Sequence, residues 1–115
     1  MKTVHIQVHD PDFEITVPFA NSFFSRFFGL MGKKKETVQG MLFSRTNQIH
    51  LFFMKFPLDV YYLDKEGVVI DRDLAFPPWR VGKMRKKAKY TLEIPAGTKP
   101  AIPIGSKLLW NSRNV

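Results

Sequence analysis

The run Asn47-Gln48-Ile49-His50-Leu51-Phe52-Phe53-Met54-Lys55-Phe56-Pro57-Leu58-Asp59 sets three ionisable residues, His50, Lys55 and Asp59, among aromatic and aliphatic neighbours. Charged groups enter apolar surroundings only when paired or bonded, so each of the three needs a partner or a task. An aspartate beside a histidine can orient the imidazole for acid–base work or for a metal. His50 and Asp59 are therefore the catalytic candidates. In an extended strand His50 shares a face with Phe52 and Met54, while Ile49, Leu51 and Phe53 take the other. Pro57 breaks the register before Asp59, so parity leaves open whether the two side chains meet. The competing reading is structural. His50 then bonds a backbone carbonyl, and Asp59, at the head of an apolar strand, bonds free backbone N–H groups or an arginine.

Two cationic features add a different chemistry. Arg26 sits in a phenylalanine-rich stretch with Phe24 and Phe27 beside it. It either pairs with a carboxylate, Asp59 being one option, or anchors an anionic ligand. The stretch Trp79-Arg80-Val81-Gly82-Lys83-Met84-Arg85-Lys86-Lys87-Ala88-Lys89-Tyr90 interleaves basic residues with two aromatics. Lysine and arginine contact phosphates, and exposed aromatics stack on bases. No RNA-binding signature accompanies them, and a solvated charged loop is the plain alternative. The candidate ligand-binding set is thus Arg26, His50, Lys55, Trp79 and Arg80. The candidate polyanion-binding set is Lys83, Arg85, Lys86, Lys87 and Lys89.

Composition narrows the classes. The chain has 115 residues, a length that suits one domain spanning 1–115. Phenylalanine, at 11 residues, supplies large apolar groups for a core. With 18 Lys+Arg against 10 Asp+Glu the net charge is +8, which favours polyanions or simply keeps a Phe-rich domain in solution. There is no cysteine, so disulfides and thiolate chemistry are excluded. No Gly-x-Ser-x-Gly elbow and no glycine-rich phosphate loop is present. His5 and His9 are four apart but fall on a strand and its turn, where that spacing has no metal-binding meaning. No metal and no cofactor is expected. Met1-Lys2-Thr3-Val4-His5-Ile6 lacks a hydrophobic signal core, and no apolar run is long enough to span a bilayer. Taken at face value the protein is cytoplasmic, with an exported mature form lacking its signal as the alternative.

The elements that must position these residues are mostly short strands. Val4, Ile6 and Val8 alternate with polar neighbours, as do Phe13, Ile15 and Val17 beyond the turn His9-Asp10-Pro11-Asp12, which predicts a hairpin. Asn21 or Ser22 can cap a helix, and the apolar residues that follow predict one main helix near residues 20–31, ending before Lys33-Lys34-Lys35. Strands are expected over 38–43 and 49–53. Residues 60–63 and 68–70 flank Asp64-Lys65-Glu66-Gly67, a tight turn with Gly67 available for positive φ. Tyr90, Leu92 and Ile94 alternate with Lys89, Thr91 and Glu93 in a further strand, and residues 107–110 form a last one. The pattern implies a mainly β fold, a sandwich or small barrel, with one helix packed on it.

Several of these segments together resemble one family. Arg26-Phe27-Phe28-Gly29-Leu30-Met31 resembles an R-x-x-G-L-M element, and Gly40-Met41-Leu42-Phe43 a G-M-L-F element. Asn47, Ile49-His50, Phe52-Phe53-Met54 and Pro57-Leu58-Asp59 are similar to N-x-I-H-T-F-F-M-x-x-P-I-D. Pro78-Trp79-Arg80 and Leu92-Glu93-Ile94-Pro95-Ala96-Gly97 are similar to P-W-R and L-E-x-P-A-G. Their order and spacing resemble the DUF192 (UPF0127) family of uncharacterised small proteins. Ile104-Gly105 resembles the closing I-x-x-G-D element of that family. Leu51 stands where that pattern has Thr, Ser25 where Glu often precedes the Arg, and Ser106 where Asp often follows that Gly. The resemblance implies a β-rich sandwich-like domain and no particular reaction. The expected function is a non-catalytic module binding a small anionic ligand or a polyanionic surface. The alternatives are a small hydrolytic enzyme using a His50/Asp59 pocket and a protein-interaction domain.

Overall fold

A computed structural model describes residues 3–20, 39–44, 56–77 and 82–113 of the chain. Seven strands run β1 (Thr3–Val8), β2 (Phe13–Ala20), β3 (Met41–Ser44), β4 (Leu58–Leu63), β5 (Val69–Phe76), β6 (Tyr90–Pro95) and β7 (Leu109–Arg113). They form one sheet in the order β5-β4-β6-β3-β2-β1-β7. All neighbours are antiparallel except β2 and β3, which pair in parallel through Phe19↔Leu42 and Ala20↔Phe43.

The sheet curls into a half-barrel because its far ends are laced together. β5 and β7 are the outermost strands, yet the segment leading into β7 pairs with the start of β5. The Gly105 N–H donates to the Val69 carbonyl at 2.8 Å, Val69 N–H to Ser106 at 2.9 Å, and Leu108 N–H to Gly67 at 2.9 Å. Gly67 has φ 84°, and a Cβ there would stand 2.9 Å from the Leu108 carbonyl oxygen. Only glycine fits such a position without strain, as the tight-turn reading requires.

Alternation then decides which side chains point inward. Val4, Ile6, Val8, Phe13, Ile15 and Val17 from the first hairpin meet Leu42, Tyr61, Leu63, Leu92 and Ile94 inside the curl. Two polar side chains hold the segment around Ile102 against this core. Tyr61 Oη accepts the Ile102 N–H at 3.1 Å, and Arg72 donates to the Ile102 carbonyl at 2.8 Å. Burial, the main cause, pushes the Tyr61 phenol above its ordinary pKa, so it stays protonated.

The central strands are also buried on their outer face. All six residues of β4 are buried. Leu58, Val60 and Tyr62 face outward with Met41, Phe43, Phe56 and Ala88 in a second apolar cluster. Each fully buried Leu or Phe contributes on the order of 1.5–3 kcal/mol.

The mainly β reading holds, in one curled sheet rather than two stacked ones. The helix expected near residues 20–31 is not borne out. Among the described residues there is no helix, Ala20 closes β2, and the rest of that span lies outside the described residues. The expected strand over 49–53 also lies outside them. β5 runs on to Phe76, past the expected end at residue 70 and through the charged Asp71-Arg72-Asp73. As an edge strand it can carry that polarity. The last strand begins two residues later than expected, because 105–108 is taken up in the lacing.

Candidate functional site

Asp59 stands at a β-bulge. Leu58 pairs with Phe76 and Val60 with Asp73, so Asp59 faces two residues of β5, Leu74 and Ala75. Ala75 is held at φ 53°, a conformation that costs an alanine about 1 kcal/mol. The Asp59 carboxylate stabilises the bulge by accepting the Ala75 N–H at 2.8 Å, and its other oxygen accepts the Gly97 N–H at 3.3 Å. The side chain thus staples β5 to the turn after β6 while only 8% exposed.

Arg85 forms a second staple. Its Nε donates to Asp71 at 2.9 Å, and its Nη2 lies 3.1 and 3.0 Å from the two Asp73 oxygens. Its Nη1 donates to the Lys83 carbonyl at 2.6 Å. The guanidinium carbon lies 4.0 Å over the centre of the Tyr62 ring, whose hydroxyl donates to Asp73 at 3.2 Å. Arg85 holds the Asp71 carboxyl below the usual carboxylate range through its hydrogen bond. Burial pushes the Tyr62 phenol well above its ordinary value. With its side chain 11% exposed, Arg85 binds the 82–89 loop to β5. Lys83, Lys86, Lys87 and Lys89 of the same loop are exposed. Arg85→Ala is expected to lower stability by about 2 kcal/mol, since two part-buried carboxylates lose their partner. A urea midpoint that does not move would show the clamp to be without consequence.

Of the remaining candidates, Arg26, His50, Lys55, Trp79 and Arg80 lie outside the described residues. The meeting of His50 with Asp59 is therefore not part of the observed geometry. His5 reaches across from β1 to bond Thr16 and Glu14 on β2, and this contact holds Glu14 below its ordinary pKa. No group of three or more His, Asp or Glu side chains able to hold a metal occurs among the described residues. No helix among them is long and apolar enough to cross a membrane.

Two features escaped the sequence reading. Thr91 and Glu93 alternate with apolar residues and read as a solvent face, yet both are buried. The signal was the near-continuous apolar runs Met41-Leu42-Phe43 and Val60-Tyr61-Tyr62-Leu63 on the strands flanking β6, since such runs mark strands covered on both faces. Burial pushes the Glu93 carboxyl up to about 8, so it is protonated at neutral pH. The other feature is an open cleft of about 270 Å³ lined by Ser44, Lys65, Lys89 and Tyr90. It depends on strand order, which the sequence does not show.

The DUF192 family profile, described as an uncharacterized ACR, matches residues 4–110. The chain belongs to the DUF192 family. A UPF0127 protein of Pyrococcus furiosus is 34% identical over 106 residues, covering 87% of this chain and 90% of that protein. A UPF0127 protein of Pyrococcus horikoshii is 36% identical over 100 residues, covering 82% and 86%. Among solved structures, a Sinorhizobium meliloti protein described as a "putative transcription regulator" superposes with TM-score 0.76 at 21% identity over 96% of this chain and 94% of that one. A Novosphingobium aromaticivorans protein of unknown function gives TM-score 0.68 at 17% identity over 94% and 84%. At these identities the two structures show a shared fold, and the DUF192 half-barrel described above is that fold.

Proposed function

We propose that this DUF192 domain is a non-catalytic binding module for anionic ligands, met by lysines of the 82–89 loop. One observation carries the reading. The loop's arginine is bonded into the protein, while Lys83, Lys86, Lys87 and Lys89 are exposed and form no ion pair with any described residue. The clamp gives the loop a fixed backbone, so the lysines stand on a rigid support rather than a free tail. Ammonium groups that form no close ion pair with a described residue keep most of their attraction for phosphates. No element among the described residues offers base readout, so the binding is sequence-tolerant.

The hydrolytic reading is weakened by the engagement of Asp59. A carboxylate that accepts two backbone N–H groups at a bulge is a poor orienter for an imidazole.

Retention on an immobilised polyanion such as heparin tests the reading. The unaltered protein is expected to elute at clearly higher salt than a variant carrying Lys83→Glu, Lys86→Glu and Lys87→Glu. Arg85 is left intact in that variant so that the loop keeps its anchor. Equal elution of the two proteins would contradict the reading.

A further inference from the structure

The cleft beside Tyr90 differs from the rest of the basic surface. It is concave, and both of its lysines rise from fixed backbone. Lys65 sits in the β4–β5 turn, where Asp64 Oδ1 accepts the Glu66 N–H at 2.9 Å and the Val68 N–H at 3.0 Å. That turn is closed again by the Gly67 N–H donating to the Asp64 carbonyl at 3.0 Å. Lys89 is pinned by its own N–H, which donates to the Leu63 carbonyl at 2.7 Å. Tyr90 pairs with Leu63 across the sheet, so the β4–β6 register brings both lysines to the same end of the half-barrel. The Tyr90 ring is held edge-on by Trp110, with ring centres 5.2 Å apart and planes at 79°.

We infer that this cleft is a phosphate-binding subsite, with Lys65 and Lys89 as the two ammonium donors to one phosphate or diphosphate group. Neither lysine makes an ion pair with a described residue, and no described residue of the lining carries a carboxylate. Glu66 shares the Lys65 turn but is exposed and not part of the lining. Two ammonium groups with no counter-charge among the described residues suit a compact dianion, and lysine binds phosphate as a point charge. Size sets the class. A pocket for a drug-sized ligand takes roughly 300–1,000 Å³. At about 270 Å³ and open to solvent, this cleft suits a phosphate or diphosphate group, with the remainder of the ligand outside. The inference rests on the anionic-ligand reading above and names its chemistry at one place.

Inorganic pyrophosphate titrated into the intact protein, followed by backbone amide NMR, is the test. Saturable shifts centred on Ser44, Lys65, Lys89 and Tyr90 are expected. Lys65→Ala and Lys89→Ala should each weaken affinity by about tenfold or more, the scale of a lost charged hydrogen bond. Lys99→Ala, exposed in the turn after β6 and outside both the cleft lining and the 82–89 loop, should leave it nearly unchanged. Absence of saturation, or equal weakening by all three substitutions, would overturn the subsite in favour of diffuse charge. Oligonucleotides with and without a 5′-phosphate form a second arm. Preference for the phosphorylated end assigns the group to nucleic acid, and pyrophosphate binding without that preference assigns it to a free phosphate compound. If pyrophosphate saturates the cleft while heparin fails to retain the protein, the subsite stands and the loop reading falls. If heparin retains the protein and pyrophosphate finds no cleft, the reverse holds.

Discussion

Replacing Glu93 with glutamine is expected to remove a fall in stability of about 3 kcal/mol between pH 4.5 and pH 7. The carboxyl lies in the middle of β6, 6% exposed, between Met41 on β3 and Val60 on β4. Burial raises its pKa from 4.5 to about 8. In that window the folded protein keeps a proton that the unfolded chain has released. Stability is therefore fully present below pH 4.5 and declines as pH rises towards 8, by about 1.4 kcal/mol per unit for one proton. Glu14 and Asp71 have lowered pKa values, so their contributions change below this window. Glutamine keeps the shape and cannot ionise. Urea midpoints at pH 5, 6, 7 and 8 should slope downward for the parent and run nearly flat for Glu93→Gln. Parallel curves would show that Glu93 does not control the pH dependence.

Asp59→Ala is expected to cost about 3 kcal/mol. The substitution strands the Ala75 and Gly97 N–H groups in a part-buried site and leaves the positive-φ alanine without its anchor. Asp59→Asn retains one accepting oxygen and should fall between. Retention on heparin should be unchanged for folded protein in both cases. An unmoved urea midpoint together with a lost ligand response would mean that Asp59 serves binding or catalysis instead.

Much of the half-barrel is legible because its signals are local. The first hairpin follows from alternation in Val4-His5-Ile6-Gln7-Val8 and Phe13-Glu14-Ile15-Thr16-Val17. The β4–β5 turn follows from Asp64 and Gly67, which supply the side-chain acceptor and the positive φ. Asp59 is readable as a structural carboxylate because it opens an apolar strand just after Pro57, where free N–H groups gather. What escapes is non-local. Arg85 reads as one more cation in a basic stretch, and only the folding of 82–89 over β5 brings it to Asp71 and Asp73, 14 and 12 residues back. Glu93 reads as a solvent-facing position until strand order places it between two doubly buried strands. The Lys65–Lys89 cleft depends on the same order.

The division of the basic loop into one structural arginine and a set of binding lysines is the central claim. It is tested most directly by the slope of log affinity against log salt for a labelled single-stranded oligonucleotide. That slope is measured for the unaltered protein and for the variant with Lys83, Lys86 and Lys87 reversed to Glu. Each phosphate contact on a single strand contributes about −0.7 to the slope, so losing three should flatten it by about 2 while the urea midpoint stays in place. An unaltered protein that fails to bind at low salt, or a slope that survives the triple reversal, would contradict the account.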